Sequence, residues 1–125
     1  MTKRWNPKPR RVADKKDLEL ELLSQMRLLG LPEPEREFMA ITGRKFRFDF
    51  AWVFESGGCR GVLVECQGGI YQYAPSHASA AGIRRDAEKM NLAVSEGWRV
   101  YHFTSDMIRS GAAVQMIERE LRMMG

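Results

Sequence analysis

Residues 45–52, KFRFDFAW, alternate strictly: Phe46, Phe48, Phe50 and Trp52 point one way, and Lys45, Arg47, Asp49 and Ala51 the other. A period of two predicts a β-strand. After the ESGGC turn, GVLVECQ at 61–67 alternates as well, with Val62, Val64 and Cys66 on one face and Leu63, Glu65 and Gln67 on the other. REFMAIT, at 36–42, predicts a shorter strand ahead of this hairpin, with Thr42-Gly43 turning the chain between them, and WRVYHF, at 98–103, a final one. Helical spacing holds in DLELELLSQMRLL, at 17–29, where Leu18, Leu22, Met26 and Leu29 recur between a starting Asp17 and a stopping Gly30. Ser79 is placed to cap a second helix running to about Glu96, with Ile83, Ala87, Met90 and Val94 as its apolar stripe and Gly97 as its stop. Ser105-Asp106 opens a C-terminal helix expected to turn Ile108, Ala112, Met116, Ile117 and Leu121 inward.

The order is α-β-β-β-α-β-α. Strand 62–67, helix 80–96 and strand 98–103 form a βαβ crossover, which makes those strands parallel with a right-handed connection. The expected fold is a single α/β domain with a mixed four-stranded sheet, helices on both faces and a C-terminal helix.

Length and composition agree with this. A chain of 125 residues, 44% hydrophobic and 29% charged, suits one globular domain. No apolar run approaches the roughly 20 residues that span a bilayer, and no apolar stretch follows the basic start as in a secretory signal. Cys59 and Cys66, expected on opposite arms of the hairpin, have neither the number nor the spacing of a disulfide framework or a zinc site, so both read as reduced thiols of a cytosolic protein. The Met-rich end, Met116, Met123 and Met124, reads as core or dimer filler.

Charge divides the chain in two. The net charge is +4, yet residues 1–16 carry Lys3, Arg4, Lys8, Arg10, Arg11, Lys15 and Lys16 against Asp14 alone, which leaves the rest net acidic. With Pro7 and Pro9 and little apolar surface, this segment reads as a flexible basic arm, ahead of a domain at 17–125. It serves either as a solubilising tail or as an arm that seeks nucleic-acid phosphates by releasing their counterions, with Trp5 available to stack on a base.

The hairpin also carries a conflict. Centred on Gly57, it sets Phe50 opposite Val64, Trp52 opposite Val62 and Asp49 opposite Glu65. Cross-strand Cβ atoms lie about 4.5–5.5 Å apart, and like charges so placed repel. Either a cation lies between the two acids, or one of them holds a proton, or the register is shifted. Only even shifts keep the apolar faces aligned, and those leave both acids on one side. Oxygen ligands favour a hard cation, Mg²⁺ or Mn²⁺, over zinc. On a basic protein such a cation implies a phosphate substrate.

The succession FRFDFAW, hairpin, VLVECQGG, a loop with one His, then RRDAEKMNLAVSEGWRVYHFT resembles the PD-(D/E)XK nuclease superfamily, nearest to its small phage and bacterial members of the VRR-NUC and very-short-patch-repair type. The likeness covers about residues 17 to 110. It implies a metal-dependent DNA endonuclease, of which structure-directed forms such as a Holliday-junction resolvase or a repair nickase are candidates, with a homodimer as a candidate assembly. A nucleic-acid-binding module that keeps the fold without turnover is the alternative. By resemblance Asp49 and Glu65 are metal ligands and the Cys66 carbonyl a third, while Glu21, or alternatively Glu19, is the acid of the first helix. Gln67 stands where the superfamily usually has Lys; an amide can hold the attacking water but offers no charge. Lys89 on the next helix is a candidate to supply it. Arg84, Arg85 and Lys89 read either as a solvated face or as phosphate contacts, and Lys45 and Arg47, on the acid-bearing face, as better-placed ones. His77 is a candidate for proton transfer or phosphate binding, His102 reads as structural, and Gly68-Gly69 admits either DNA or a sharp turn.

Overall fold

The computed structural model describes residues 14–68 and 79–124. Helix α1 runs Lys15–Leu28. It starts two residues before the expected Asp17 because Asp14 is the cap: its Oδ1 accepts the Asp17 backbone N–H at 2.8 Å. Lys15 and Lys16 therefore belong to the helix and not to the basic arm. The other arm cations, Lys3, Arg4, Lys8, Arg10 and Arg11, lie outside the described residues, as do Trp5, Gly69 and His77.

Strands β1 (Glu35–Phe38), β2 (Phe48–Ser56) and β3 (Cys59–Cys66) are followed by α2 (Ala80–Ser95), β4 (Trp98–Phe103), α3 (Ser105–Arg109) and α4 (Ala112–Met124). The sheet order is β1-β2-β3-β4. The first two pairings are antiparallel, and β3 with β4 is parallel, as the crossover requires. The hairpin register is the expected one, with Phe50 opposite Val64 and Trp52 opposite Val62. Gly57 and Gly58, at φ +59° and +81°, form its two-residue turn, and Glu55, at φ +49°, lies in a bulge between Val53 and Ser56. Both free cysteines lie on β3, since Cys59 opens that strand rather than closing the other arm.

Helices cover both faces of this α/β sheet. On one side Leu18, Leu22 and Met26 of α1 pack with Phe50, Trp52, Val62 and Val64 and with Ile108, Ile117 and Leu121 of α3 and α4. On the other, α2 lays Ala93 over Ala51 and Leu63, joined by Phe48 and Trp98.

Several details differ from expectation. β2 begins at Phe48, so Lys45 and Arg47 precede it rather than sharing its acid-bearing face. Phe46 and Phe48 join the α2 side and not that of Phe50 and Trp52. The alternation breaks where the Asp49 carboxylate accepts the Cys66 backbone N–H at 2.7 Å, in place of a ladder bond. On α2 only Met90 of the expected stripe packs inward: Ile83, Ala87 and Val94 are exposed, while Lys89 and Ala93 are buried. The hydrophobic period misplaces that face because it carries a charged residue inward. The C-terminal helix divides at Ser110-Gly111, where Gly111 has φ +86°, and Ala113 and Val114 are buried in place of Ala112 and Met116. Leu29 at the end of α1 is also exposed, and Leu23 packs inward instead.

Candidate functional site

Asp49 and Glu65 come together at one end of the sheet. Both are buried, at 2% and 8% exposure, and their carboxyl groups hydrogen-bond to each other. Two lysines meet them. Lys15, in the first turn of α1, places Nζ 3.1 Å from Asp49 Oδ1 and 3.2 Å from Glu65 Oε1. Lys89 reaches up from α2 to Glu65 Oε2, with its ammonium 4.5 Å from the centre of the Phe48 ring. It is buried, so neither the solvated-face nor the phosphate-contact reading of Lys89 survives.

Gly68 secures this arrangement. A Cβ there would stand 2.5 Å from Lys15 Cβ and 2.8 Å from its backbone nitrogen, so only glycine lets the chain leaving β3 pass against α1. The backbone it admits is that of Lys15.

One turn after Lys15, Glu19 is buried and Glu21 faces solvent. The helical acid at the site is therefore Glu19, not Glu21. An oxygen each from Glu19, Glu37 and Asp49 lies within 4.8 Å of the others, Glu37 being exposed, and Arg36 bonds Glu19 at 3.4 Å. Sequence reasoning missed Glu37. It lies opposite Asp49 in the β1–β2 register that pairs Arg36 with Phe50 and Phe38 with Phe48, and its φ of +52° marks a departure from regular strand. If Glu19 helps hold a cation, Glu19→Gln removes at least half of the stabilisation by Mn²⁺ in thermal melts, whereas Glu21→Gln stays within about 0.5 kcal/mol of wild type, the usual range for a surface change.

Burial, then the hydrogen bond and charge of Glu65, push Asp49 up to about 8, against the Cys66 N–H and Lys15, which pull it down. Burial acts in the same direction on Glu65, but its hydrogen bonds with Asp49 and Lys89 and the two nearby ammonium groups outweigh it and hold Glu65 below the usual carboxylate range. Without metal, the pair thus keeps a proton on Asp49 at neutral pH. Burial opposes the charge of Lys15, but Glu65 and Asp49 overcome it and raise its pKa. Burial, aided by Glu37, raises Glu19, and burial raises the Cys66 thiol far enough to make it inert.

A pH dependence follows. Folded Asp49 binds its proton from the ordinary 3.8 up to about 8, so the stability gained from that proton is lost as pH rises through this window. In a chelator, the melting temperature should fall from pH 6 to 9, and Asp49→Asn should flatten the fall. Equal slopes for the two proteins would refute the assignment.

Glu65 opens onto a cavity of about 420 Å³ that Asp14, Lys15, Gln67, Asp86 and His102 also line. His102 stands beside Glu65 in the parallel β3–β4 register, so it belongs to the site and not only to the sheet. Burial lowers its pKa, against Glu65 and Asp86. Cys66 buries its side chain on the opposite face, leaving only backbone toward the acids.

A wider groove of about 630 Å³ gathers Arg44, Lys45, Phe46, Arg84 and Arg85, with Glu88 at its side. Arg44 pairs with Glu88 at 2.6 Å and lies over the Phe46 ring. Lys45, Arg84 and Arg85 thus come together as a basic surface, while Arg47 is exposed and outside the groove lining. Comparison of the chain with protein-family models, with curated proteins and with solved structures finds no match. Among the described residues no helix is long and apolar enough to cross a membrane.

Proposed function

We propose that the protein is a Mg²⁺- or Mn²⁺-dependent DNA endonuclease of the PD-(D/E)XK type. The observation that carries this reading is the meeting of Asp49 and Glu65, drawn from adjacent strands, with Glu19 of α1 beside Asp49 and with Glu65 on the wall of a cavity. The order α-β-β-β-α-β and the mixed sheet are compatible with that superfamily's core.

The donor set fits a hard cation. It is carboxylate oxygen, with the Cys66 backbone adjacent and the imidazole of His102 on the cavity wall beside Glu65. Asp49, Glu65 and Glu19 would hold the ion, with the Cys66 carbonyl as a further oxygen. A bound divalent cation lowers the pKa of water and offsets charge developing on phosphorus and on the leaving oxygen. Gln67, lining the cavity, orients the attacking water through its amide. Arg44, Lys45, Arg84 and Arg85 bind backbone phosphates and fix the strand, with no sequence information needed.

A second reading has its own observation. Lys15 and Lys89 already neutralise the acid pair, and Gln67 replaces the usual lysine. This favours a DNA-binding module with little or no turnover. Incubation of plasmid, single-stranded and branched DNA with the protein in Mg²⁺ and in Mn²⁺ separates the two. Binding without cleavage in either ion selects the module, and absence of binding refutes both.

The groove makes a separate prediction. Replacing Arg84 and Arg85 together by Ala should lower the slope of log affinity against log salt by about 0.9 per lost duplex contact. An unchanged slope in binding titrations would make them a plain solvated face.

A further inference from the structure

Lys15 stands where a cation bridging the two acids belongs. Its Nζ bonds one oxygen of Asp49 and one of Glu65, at 3.1 and 3.2 Å. Lys89 does not share that position, being buried on the far oxygen of Glu65 and packed on Phe48. Lys15 differs from it in access: its side chain is 46% exposed and lines the 420 Å³ cavity next to Gln67. Gly68 packs against its backbone and Cβ, and beyond Cβ a flexible stem carries the ammonium head.

An ammonium and a divalent cation cannot fill one gap between the same oxygens, because like charges at contact distance repel. We infer that Lys15 is a resident counter-ion that leaves the acid pair when a divalent cation binds, and that its ammonium then meets a phosphate oxygen in the adjoining cavity. The displaced lysine supplies from α1 the charge that Gln67, just past β3, lacks. This rests on the metal-site reading of Asp49 and Glu65.

Mn²⁺ affinity of the full chain, measured by calorimetry, and affinity for a short DNA duplex in Ca²⁺ test the two halves. Lys15→Met keeps the stem and removes the competitor, so Mn²⁺ should bind at least about tenfold tighter, within the usual range of coupling between two sites. DNA affinity should fall several-fold in the same protein. A lysine with a merely structural role would, when lost, weaken both. Unchanged or weaker Mn²⁺ binding, or unchanged or tighter DNA binding, overturns the inference while leaving the metal site standing. Mn²⁺ binding to neither protein overturns the metal reading and the inference with it. Lys15→Arg guards against a misfolded Met variant: its charged fork should clamp both carboxylates and weaken Mn²⁺ binding relative to wild type, and an unchanged affinity overturns the inference. Lys16→Met should alter neither affinity; a change matching that of Lys15→Met would reduce the effect to bulk charge and overturn it.

Discussion

Asp49→Asn should abolish Mg²⁺-dependent cleavage while leaving the metal-free protein within about 1 kcal/mol of wild type, the range of a single cross-strand pair. The two halves have different causes. Without metal, Asp49 already holds a proton at neutral pH, because burial and Glu65 push it up to about 8. An amide is close to that neutral acid in shape, and its oxygen still accepts the Cys66 N–H. With millimolar Mg²⁺, wild type should melt higher by preferential binding to the folded state, and the variant should not, since a neutral amide is a poor ligand for a hard cation. Cleavage should drop by at least about 100-fold, the upper end of what loss of a contact supporting a metal ligand costs. Melts with chelator and with Mg²⁺, beside a plasmid assay, measure both. A wild type indifferent to divalent ions, or a variant that melts far lower without them, would make the acids structural and end the nuclease reading.

Lys89→Met should destabilise the protein by about 3–5 kcal/mol, the scale for breaking a buried ion pair from one side. The substitution leaves Glu65 Oε2 buried without its cation, and Lys15 reaches only the other oxygen. It also removes the ammonium from the face of Phe48. Adding Glu65→Gln should restore most of the loss, because removing both charges of a buried pair is close to neutral where removing one is not. Urea unfolding of the single and double variants gives the numbers. A single variant within about 0.5 kcal/mol of wild type would return Lys89 to an ordinary solvated helix face.

The elements were legible because each follows from local pattern: the period-two runs that became β2 and β3, the glycine turn at Gly57-Gly58, and the Ser79 cap of α2. The facing of Asp49 and Glu65 was legible too, since apolar alternation restricts the register, although the turn itself pairs Ser56 with Cys59 and it is the bulge at Glu55 that brings Phe50 opposite Val64. What failed was non-local. Lys15 meets Glu65 across 50 residues of sequence and Lys89 meets it across 24. No periodicity marks a lysine as buried when its partner is an acid on another element, and of the stripe drawn through Ile83, Ala87, Met90 and Val94 only Met90 packs toward the sheet for that reason. Glu19 and Glu21 are indistinguishable in composition. Only the start of α1 at Lys15, and the side it turns to β2, separate them.

The close approach of Gly68 to Lys15 also ties the end of β3 to the start of α1. Asp14 and Gly68 both border the 420 Å³ cavity, so two points far apart in the sequence share one rim. A Cβ at position 68 would meet the backbone of Lys15, so the seating of the ammonium on the acids depends on a contact that neither acid makes.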